Sequence, residues 1–593
     1  MNFFAQQETA RRHTLKLVLL FLAAVVGVIA AADLLVTFGA WWLLDIRGLG
    51  RDFHLILAGV ILLAVFVFAV RRLIKLRGGG EAIAKMVKAR RIARDTTDLD
   101  ERRLLNVVDE MAIASGLAAP SVFAMDDEQG INAFAAGYSP NQAVLVVTKG
   151  TLVRLNRDEL QGVIGHEFSH ILNGDMRLNV RLIGILAGIV VVGEAGLVII
   201  KLGAEAGDTG AIPFILWGAL VAAVGYIGVF FGRMIKAAVS RQREFLADAS
   251  SVQFTRNPDG LVSALQKIRT DGKSVGNAFA GEMSHMYFSQ AITPKMFSDW
   301  FATHPPIDER IAGITGRKAA APEGAASVVS MVGQSSPEHV ERATELLGAI
   351  PDSVKRALET PEGARSAVYA YLFAGDQATR VVQTRALVDA GDGGPAAGLD
   401  ELAAQLRKLG PALRLPVLTL ALPALAQMDS PSRARFLGAV DALVEADNEV
   451  TLDEFTLLTI VRRHLAEKSA RLERVKYRDL GAVEPDLALL LGTLARAGSF
   501  DPEARQAAYS RGMAKAGLKG ALPAEAKLDA AAVTTALDRL RLLAPLVKPA
   551  VVEACVDTAL ADGKVNVAEM ELLRAIGMAI DCPLPPALDP AGR

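Results

Sequence analysis

The segment IGHEFSHILNGD (residues 164–175) is followed within a few residues by the apolar run LIGILAGIVVVGEAGLVII (residues 182–200). His166 and His170 stand at positions i and i+4, so a helix would carry both imidazoles on one face. Apolar residues at helical spacing, with acidic residues in the first turn, predict such a helix over residues 157–172. The first hypothesis is therefore a metal site at the foot of an apolar helix.

Four apolar segments predict membrane-spanning helices arranged as two hairpins. They are residues 17–44, 55–70, 182–200 and 212–232. The mean hydropathy of the 593-residue chain, +0.31, is high for a soluble protein, and the length allows two or three domains. A cleaved signal peptide is the alternative for the first segment. Its apolar residues continue past Asp33, however, which makes it too long for a signal core.

Basic residues predict the orientation of the four spans. Lys and Arg are dense in residues 71–94 and again in residues 233–243, whereas the short connectors within each hairpin carry fewer. We therefore expect a multi-pass protein of the inner (cytoplasmic) membrane, with both termini and the metal site in the cytoplasm. Cys555 and Cys582 agree with that side, because two distant cysteines are typical of free thiols. The net charge of −1 argues against nucleic acid as a partner.

A catalytic zinc ion needs a third protein ligand and an open position for water. The segment SRQREFLADAS offers Glu244 and Asp248, which are again i and i+4 on a predicted helix. We expect Glu244 to ligate the metal and Asp248 to accept a hydrogen bond from a ligating imidazole. Glu167, between the two histidines, can take a proton from a water molecule that the metal activates. The alternative for Glu244 and Asp248 is an ordinary charged helix face.

Several motifs, in order, resemble the HtpX-type membrane zinc metallopeptidases, which are relatives of the CAAX prenyl endopeptidases. The motifs are INAFAAGYSPNQAVLVVTKGTL, HEFSHILNGD, REFLAD and THPPIDER, and the resemblance covers about residues 98–314. It implies a gluzincin fold with zinc on His166, His170 and Glu244 and with Glu167 as the catalytic base. It also implies that His304 stabilises the oxyanion and that Arg310 steadies the ligand glutamate. The alternative for His304 is a loop histidine beside two prolines.

The segment AVLVVTKG is short, β-branched and bounded by turn residues, so it predicts a strand. An extended substrate can pair with the edge of such a strand through its main chain, which makes Val144 and Val146 candidate substrate-binding residues. Asn132, just upstream, either holds this strand or contacts substrate. Packing against the zinc helix is the alternative for the whole segment. Asp175 either supports the metal site or caps the helix.

After residue 316 the composition changes. Residues 317–336 read as a linker, and residues 337–593 are rich in Ala and Leu at helical spacing, with no further long apolar span. Two segments, 445–458 and 560–573, share the pattern A-D-x-x-V-[TN]-x-x-E-x-x-L-L and resemble TerB-like helical modules. Thr451 with Glu454, and Asn566 with Glu569, look like capping pairs that open helices. The acidic turns do not have EF-hand spacing.

The prediction is an α-helical membrane protein with an α+β gluzincin metallopeptidase domain and a mostly α-helical cytoplasmic C-terminal domain. Residues 1–95 would form the first hairpin and a basic segment, and residues 96–316 the zinc peptidase domain with the second hairpin inserted at about 182–232. The expected function is zinc-dependent cleavage of misfolded or membrane proteins at the bilayer surface. The alternatives are a dedicated processing protease and a non-enzymatic scaffold with structural zinc. The C-terminal helices would recruit substrate, bind a regulatory partner or form a homo-oligomer.

Overall fold

The computed structural model describes residues 22–586, apart from 24, 39, 42–44, 47, 206–210, 272–285, 289–303, 317–335, 393, 395–397, 447–450, 466–474, 521, 523–529 and 562–566. The structure is mainly helical, with one four-stranded sheet. The helices up to residue 316 are α1 (Val25–Phe38), α2 (Arg51–Lys75), α3 (Gly80–Met86), α4 (Leu99–Ser115), α5 (Lys149–Arg154), α6 (Arg157–Asn173), α7 (Asp175–Glu205), α8 (Ala211–Thr255), α9 (Pro258–Asp271) and α10 (Ile307–Thr315). Almost all of the predicted linker lies outside the described residues.

One helix among the described residues, Arg51–Gly78, is long and apolar enough to cross a membrane. Its large apolar side chains are exposed, as expected for contact with lipid rather than with a protein core; they include Leu55, Ile56, Val60, Leu63 and Phe66. Shorter apolar helices, Val25–Phe38 and Ile215–Tyr226, lie within the first and fourth predicted spans. A bent pair of C-terminal helices also passes if counted as one span, but the second of the two is buried in protein. The membrane character is thus supported in part.

The two long helices α7 and α8 form a closely packed antiparallel hairpin. A Cβ atom added at Gly196 of α7 would lie 2.2 Å from the backbone nitrogen of Ala222 in α8, and one added at Gly225 would lie 2.1 Å from that of Gly193. Only glycine allows the two backbones to approach this closely, as small residues do in packed membrane helices. The hairpin follows α6, and its second helix, α8, continues into the segment that carries Glu244.

The sheet has the strands β1 (Arg90–Arg91), β2 (Ser121–Met125), β3 (Ala133–Ala136) and β4 (Val144–Thr148), in the order β1-β2-β4-β3. The predicted strand over AVLVVTKG is confirmed as β4. It runs parallel to β2 and antiparallel to β3, so it lies inside the sheet rather than at an edge.

The prediction that substrate pairs with β4 is therefore wrong. Val144 and Val146 are each paired with β2 on one side and β3 on the other, so their main-chain groups are already used. Their side chains are 2% and 0% exposed and belong to a hydrophobic cluster with Phe123 and Phe134. These valines form core; the edge strands of the sheet are β3, next to β4, and β1 on the other side.

Helix α6 begins and ends through local interactions that the sequence encodes. The side chain of Asn156 accepts a hydrogen bond from the backbone N–H of Glu159 at 2.9 Å, and Glu159 accepts one from the backbone N–H of Asn156 at 2.8 Å. Gly174 ends the helix with φ of 72°, a conformation that glycine adopts without strain. The turn at Gly174 lets α7 start at Asp175, directly after the second histidine of the motif.

The C-terminal region is helical, as predicted. Its helices are α11 (Pro337–Ala349), α12 (Asp352–Leu358), α13 (Pro361–Leu372), α14 (Gln377–Asp389), α15 (Leu399–Lys408), α16 (Arg414–Leu425), α17 (Ser430–Glu445), α18 (Leu452–Leu465), α19 (Glu484–Gly498), α20 (Pro502–Lys515), α21 (Ala530–Arg541), α22 (Lys548–Ala559) and α23 (Val567–Ala579). Thr451 and Glu454 cap α18 reciprocally, while Asn566 lies outside the described residues.

This region does not stand apart from the peptidase part. Buried residues of α11, such as Ala343 and Leu346, belong to the same hydrophobic cluster as Leu104 and Val108 of α4. Since α4 packs in turn against α6, the C-terminal helices support the rear of the helix that carries the histidine motif. The boundary drawn from composition at residues 317–336 thus separates two segments of sequence but not two hydrophobic cores.

Candidate metal centre

The two histidines of α6 and Glu244 of α8 form a compact group of potential ligands. The Nε2 atoms of His166 and His170 are 3.2 Å apart, and each lies 3.6 Å from a different carboxylate oxygen of Glu244. A tetrahedral zinc ion with bonds of about 2.1 Å separates its ligand atoms by about 3.4 Å. The three side chains that the sequence predicted as ligands are thus brought together at distances that suit one such ion.

His166 is oriented by Asp248, as the sequence predicted. Its Nδ1 donates to Oδ1 of Asp248 at 2.9 Å, which leaves Nε2 to face Glu244. Arg310 holds the same carboxylate with two hydrogen bonds, from Nε at 2.8 Å and from Nη2 at 2.6 Å. Burial lowers the pKa of His166 to about 4 despite the neighbouring Asp248, so its ring is neutral at pH 7, as a ligand must be.

The predicted contact between Arg310 and the ligand glutamate is present but is not the main one. Nη1 of Arg310 lies 3.7 Å from Oε2 of Glu244, whereas the shorter bonds of the guanidinium go to Asp248 and to the backbone oxygen of Phe288, at 2.7 Å. Arg310 therefore acts on both sides of the site, mainly by fixing the carboxylate that fixes His166.

His304 lies directly against the third ligand. Its Nδ1 is 2.9 Å from Oε2 of Glu244, and both side chains are buried. Burial raises the pKa of Glu244, but the nearby His304, His166 and Arg310 outweigh it and bring that pKa to about 2. The glutamate is thus ionised and ready to bind a cation. The role of His304 as an oxyanion donor stays a prediction.

Glu167 has a buried carboxylate with little compensation in the described part of the chain. The residue is 1% exposed, and no well-formed hydrogen bond reaches either of its oxygens there, although the backbone N–H of Ala135 in β3 is directed at the carboxylate. Burial raises its pKa to about 7, even though His170 and the Ala135 N–H lower it. A buried carboxylate with so little compensation is costly, so its persistence here indicates a ligand or substrate that is to be bound. A zinc ion with its water would fit both this carboxylate and the three donors beside it.

Two residues of the site were missed or left open by the sequence. Phe288 packs the edge of its ring on His166, stacks under the Arg310 guanidinium and donates its N–H to the oxygen of Ala133 in β3 at 2.7 Å. No local pattern marks such a residue. Asp175 proves to support the site, because it lies 2.9 Å from Nδ1 of His170.

Asn132 holds the sheet. Its backbone N–H donates to the hydroxyls of Thr148 and Thr151, at 3.0 and 2.8 Å, and its side-chain oxygen accepts from the N–H of Ala133. With 3% exposure it is held in the loop between β2 and β3, as one of the two alternatives from the sequence has it, and a contact with substrate stays a prediction.

A histidine pair and a glutamate that converge on one point, beside a second glutamate with an unsatisfied carboxylate, define the site as that of a metallopeptidase. Comparison with known proteins agrees. The model of peptidase family M48 matches residues 98–318.

Three similar proteins are each named "Protease HtpX homolog". The one from Dictyoglomus turgidum is 37% identical over 222 residues, which are 37% of this chain and 70% of that protein. The one from Listeria monocytogenes is 37% identical over 238 residues, covering 38% and 78%. The one from Streptococcus pyogenes is 33% identical over 231 residues, covering 38% and 77%. No solved structure matches the chain.

The chain belongs to peptidase family M48 and is an HtpX-type metalloprotease. The resemblance noted from the motifs is thereby confirmed. The family model ends at residue 318, so it leaves the C-terminal helices, and their likeness to TerB-like modules, untouched.

Proposed function

We propose that the protein is a zinc-dependent endopeptidase that cleaves misfolded or membrane-embedded proteins at the cytoplasmic surface of the membrane. The observation that supports it best is the position of the metal group. His166 and His170 lie in the C-terminal half of α6, the helix before the α7–α8 hairpin, and Glu244 lies on the returning helix α8, so the centre sits at the foot of the hairpin.

The residues have distinct roles in this proposal. His166, His170 and Glu244 would hold the zinc ion, which, when bound, polarises a peptide carbonyl and acidifies water. Glu167 takes the proton of the attacking water and passes it to the leaving amine, which its unsatisfied carboxylate allows. Arg310 and Asp248 keep His166 in the tautomer that presents Nε2 to the site.

The substrate would bind as an additional strand on β3. This strand is at the edge of the sheet, and its outer side has no strand partner among the residues the structure describes. One end of that edge is already closed, because the oxygen of Ala133 accepts from the N–H of Phe288. Ala135 lies next along this edge, near Glu167. Main-chain pairing at Ala135 would accept many sequences, which suits the removal of varied misfolded proteins.

The cytoplasmic location rests on the charges beside the apolar helices. Helix α2 ends with Arg72 and Lys75 and leads directly into the peptidase part. The end of α2 also contacts that part, since the hydroxyl of Tyr138 donates to the oxygen of Leu76 at 3.1 Å. Under the positive-inside rule these basic residues favour the cytoplasmic side of the inner membrane. For the C-terminal helices we propose a regulatory, recruiting or oligomerising role.

The test compares purified full-length wild type with Glu167→Gln on an unfolded soluble protein and on an unstable membrane protein, each with and without chelator. We expect wild type to cleave both substrates and to lose activity with chelator. Glu167→Gln should retain its zinc and cleave at least about 100-fold more slowly, because the proton acceptor is gone. The matched control is Glu101→Gln, a buried glutamate that pairs with Arg90 away from the metal group and should leave cleavage unchanged.

Equal cleavage by Glu167→Gln and wild type would refute the assigned base. Cleavage at one sequence only, with unfolded proteins left intact, would instead indicate a dedicated processing protease. Activity that persists after zinc has been fully removed would refute the metal mechanism.

A further inference from the structure

Each imidazole of the metal group is held by an aspartate that is itself held by an arginine. The first set, His166–Asp248–Arg310, joins α6, α8 and α10. The second set is His170–Asp175–Arg243, and nothing in the M48 match or in the motifs assigns a role to its arginine. In the sequence, Arg243 is the first residue of the REFLAD segment and one of several basic residues that follow the fourth apolar segment.

The second set has bonds as short as those of the first, although Arg243 makes one bond to its aspartate where Arg310 makes two. Nδ1 of His170 lies 2.9 Å from Oδ2 of Asp175, and Nη1 of Arg243 donates to Oδ1 of the same carboxylate at 2.5 Å. Each oxygen of Asp175 thus has one of the two partners. The side chains of Asp175 and Arg243 are only 6% and 15% exposed, so water competes little for these bonds.

The location of this set gives it a further consequence. Asp175 is the first residue of α7, and Arg243 lies on α8, one residue before the ligand Glu244. The ion pair therefore closes the base of the α7–α8 hairpin. If the two helices moved apart at their base, the Arg243–Asp175 bond would break first, and the carboxylate that orients His170 would lose its anchor.

We propose that Arg243 and Asp175 are positioning residues: together they fix the tautomer and direction of His170, and they tie the geometry of the membrane hairpin to the metal centre. The proposal rests on the zinc site proposed above. Asp175 holds Nδ1 of His170, so Nε2 faces the metal position, where it lies 3.6 Å from Glu244. Arg243 prevents the carboxylate from rotating away.

The experiment measures zinc affinity in the full-length protein by competition with a chromophoric chelator, and the visible spectrum of the cobalt-substituted protein. Arg243→Gln removes the charge and should weaken zinc binding about 10- to 100-fold, as outer-shell partners of metal ligands typically do. It should also change the cobalt spectrum, because the direction of one imidazole changes. Arg243→Lys keeps the charge and should restore part of the affinity.

The control is Arg94→Gln. Arg94 makes an equally buried pair with Asp109, at 2.8 and 3.0 Å, in a cavity that α4 lines together with α11 and α12 and that includes none of the metal-group residues. Loss of this pair should lower the thermal stability while leaving zinc affinity and the cobalt spectrum as in wild type. This separates a positioning role from a general loss of stability.

Asp175→Asn should weaken zinc binding to a similar extent. The double variant with Arg243→Gln should bind zinc only slightly more weakly than either single variant, because both substitutions act through one hydrogen bond to His170. If Arg243→Gln binds zinc as tightly as Arg94→Gln does, with an unchanged cobalt spectrum, the inference is overturned while the zinc site stands. If the wild type itself binds neither zinc nor cobalt, the proposed function fails instead.

Discussion

Replacing Asp248 with asparagine removes one negative charge from behind His166 and almost nothing else. In the native site this carboxylate accepts three hydrogen bonds, one from His166 at 2.9 Å and two from Arg310 at 2.8 and 2.6 Å. The amide oxygen of the new side chain can keep the two bonds made to Oδ1. Its amide nitrogen would then face Nε of Arg310. Both of these groups are hydrogen-bond donors, so the bond that Nε makes to the native carboxylate is lost.

The cost can be worked out from these contacts. Breaking a buried ion pair by removing one partner costs about 3–5 kcal/mol, and Arg310 is only 1% exposed. In the variant, Arg310 keeps its bond to the oxygen of Phe288 and the longer contact with Glu244. We therefore expect a cost at the lower end of this range, about 3 kcal/mol of unfolding free energy. Zinc binding should weaken about 10- to 100-fold, or about 1.4–2.7 kcal/mol, because a neutral amide behind His166 makes its imidazole a less basic ligand than a carboxylate does.

The measurements are denaturant unfolding of the metal-free protein in mild detergent, zinc affinity by chelator competition, and cleavage at saturating zinc. Saturating zinc should restore part of the cleavage, since the ligands themselves are intact. An Asp248→Asn protein with wild-type stability and zinc affinity within twofold of wild type would refute the reasoning, because the carboxylate charge and its bond from Nε of Arg310 would then contribute nothing.

Two further outcomes follow from contacts away from the metal. Gly196→Ala places a Cβ 2.2 Å from the backbone of Ala222, so it should cost about 1–3 kcal/mol of unfolding free energy and lower the midpoint of thermal unfolding in detergent. The control is Gly59→Ala, whose Cβ would have nothing within 4 Å and should leave the midpoint unchanged. Equal midpoints for the two variants would contradict the close packing of the hairpin. Burial raises the pKa of Glu571 to about 7 despite Arg414, so the native state binds more protons than the unfolded chain between about pH 4.5 and 7. The free energy of unfolding should therefore fall by on the order of 3 kcal/mol as pH rises through that window. Denaturant titrations at several pH values would measure this dependence, and Glu571→Gln should abolish it. If the variant shows the same pH dependence as wild type, Glu571 is not its source.

Much of the site could be predicted from the sequence because its residues lie on helices with regular spacing. The i and i+4 positions of His166 and His170, and of Glu244 and Asp248, put each pair on one helix face, whatever the rest of the fold. The strand β4 was predicted for a similar reason, from its β-branched residues. Its position in the sheet was not, because strand order depends on which strands pair across long sequence separations.

The residues that the sequence missed act through tertiary contacts. Phe288 reaches His166 and Arg310 from a distant segment, and Arg243 reaches Asp175 across the whole hairpin. Phe288 belongs to no short motif. Arg243 begins the REFLAD segment, but its bond to Asp175 depends on how the hairpin folds, which no spacing rule describes. Likewise, the composition change near residue 317 indicated a separate domain, yet the apolar face of α11 packs against α4 in a common core.

The sequence by itself determined the helices, the apolar segments and the identity of the three metal-binding side chains, because these follow from periodicity and from the chemistry of each residue type. Tertiary structure alone decided that β3 is an edge strand and β4 is not, that Arg310 binds mainly Asp248, and that Arg243 and Asp175 close the base of the hairpin. The physical reason is that hydrogen bonds and ion pairs between distant segments depend on distances and directions that only the packed chain fixes.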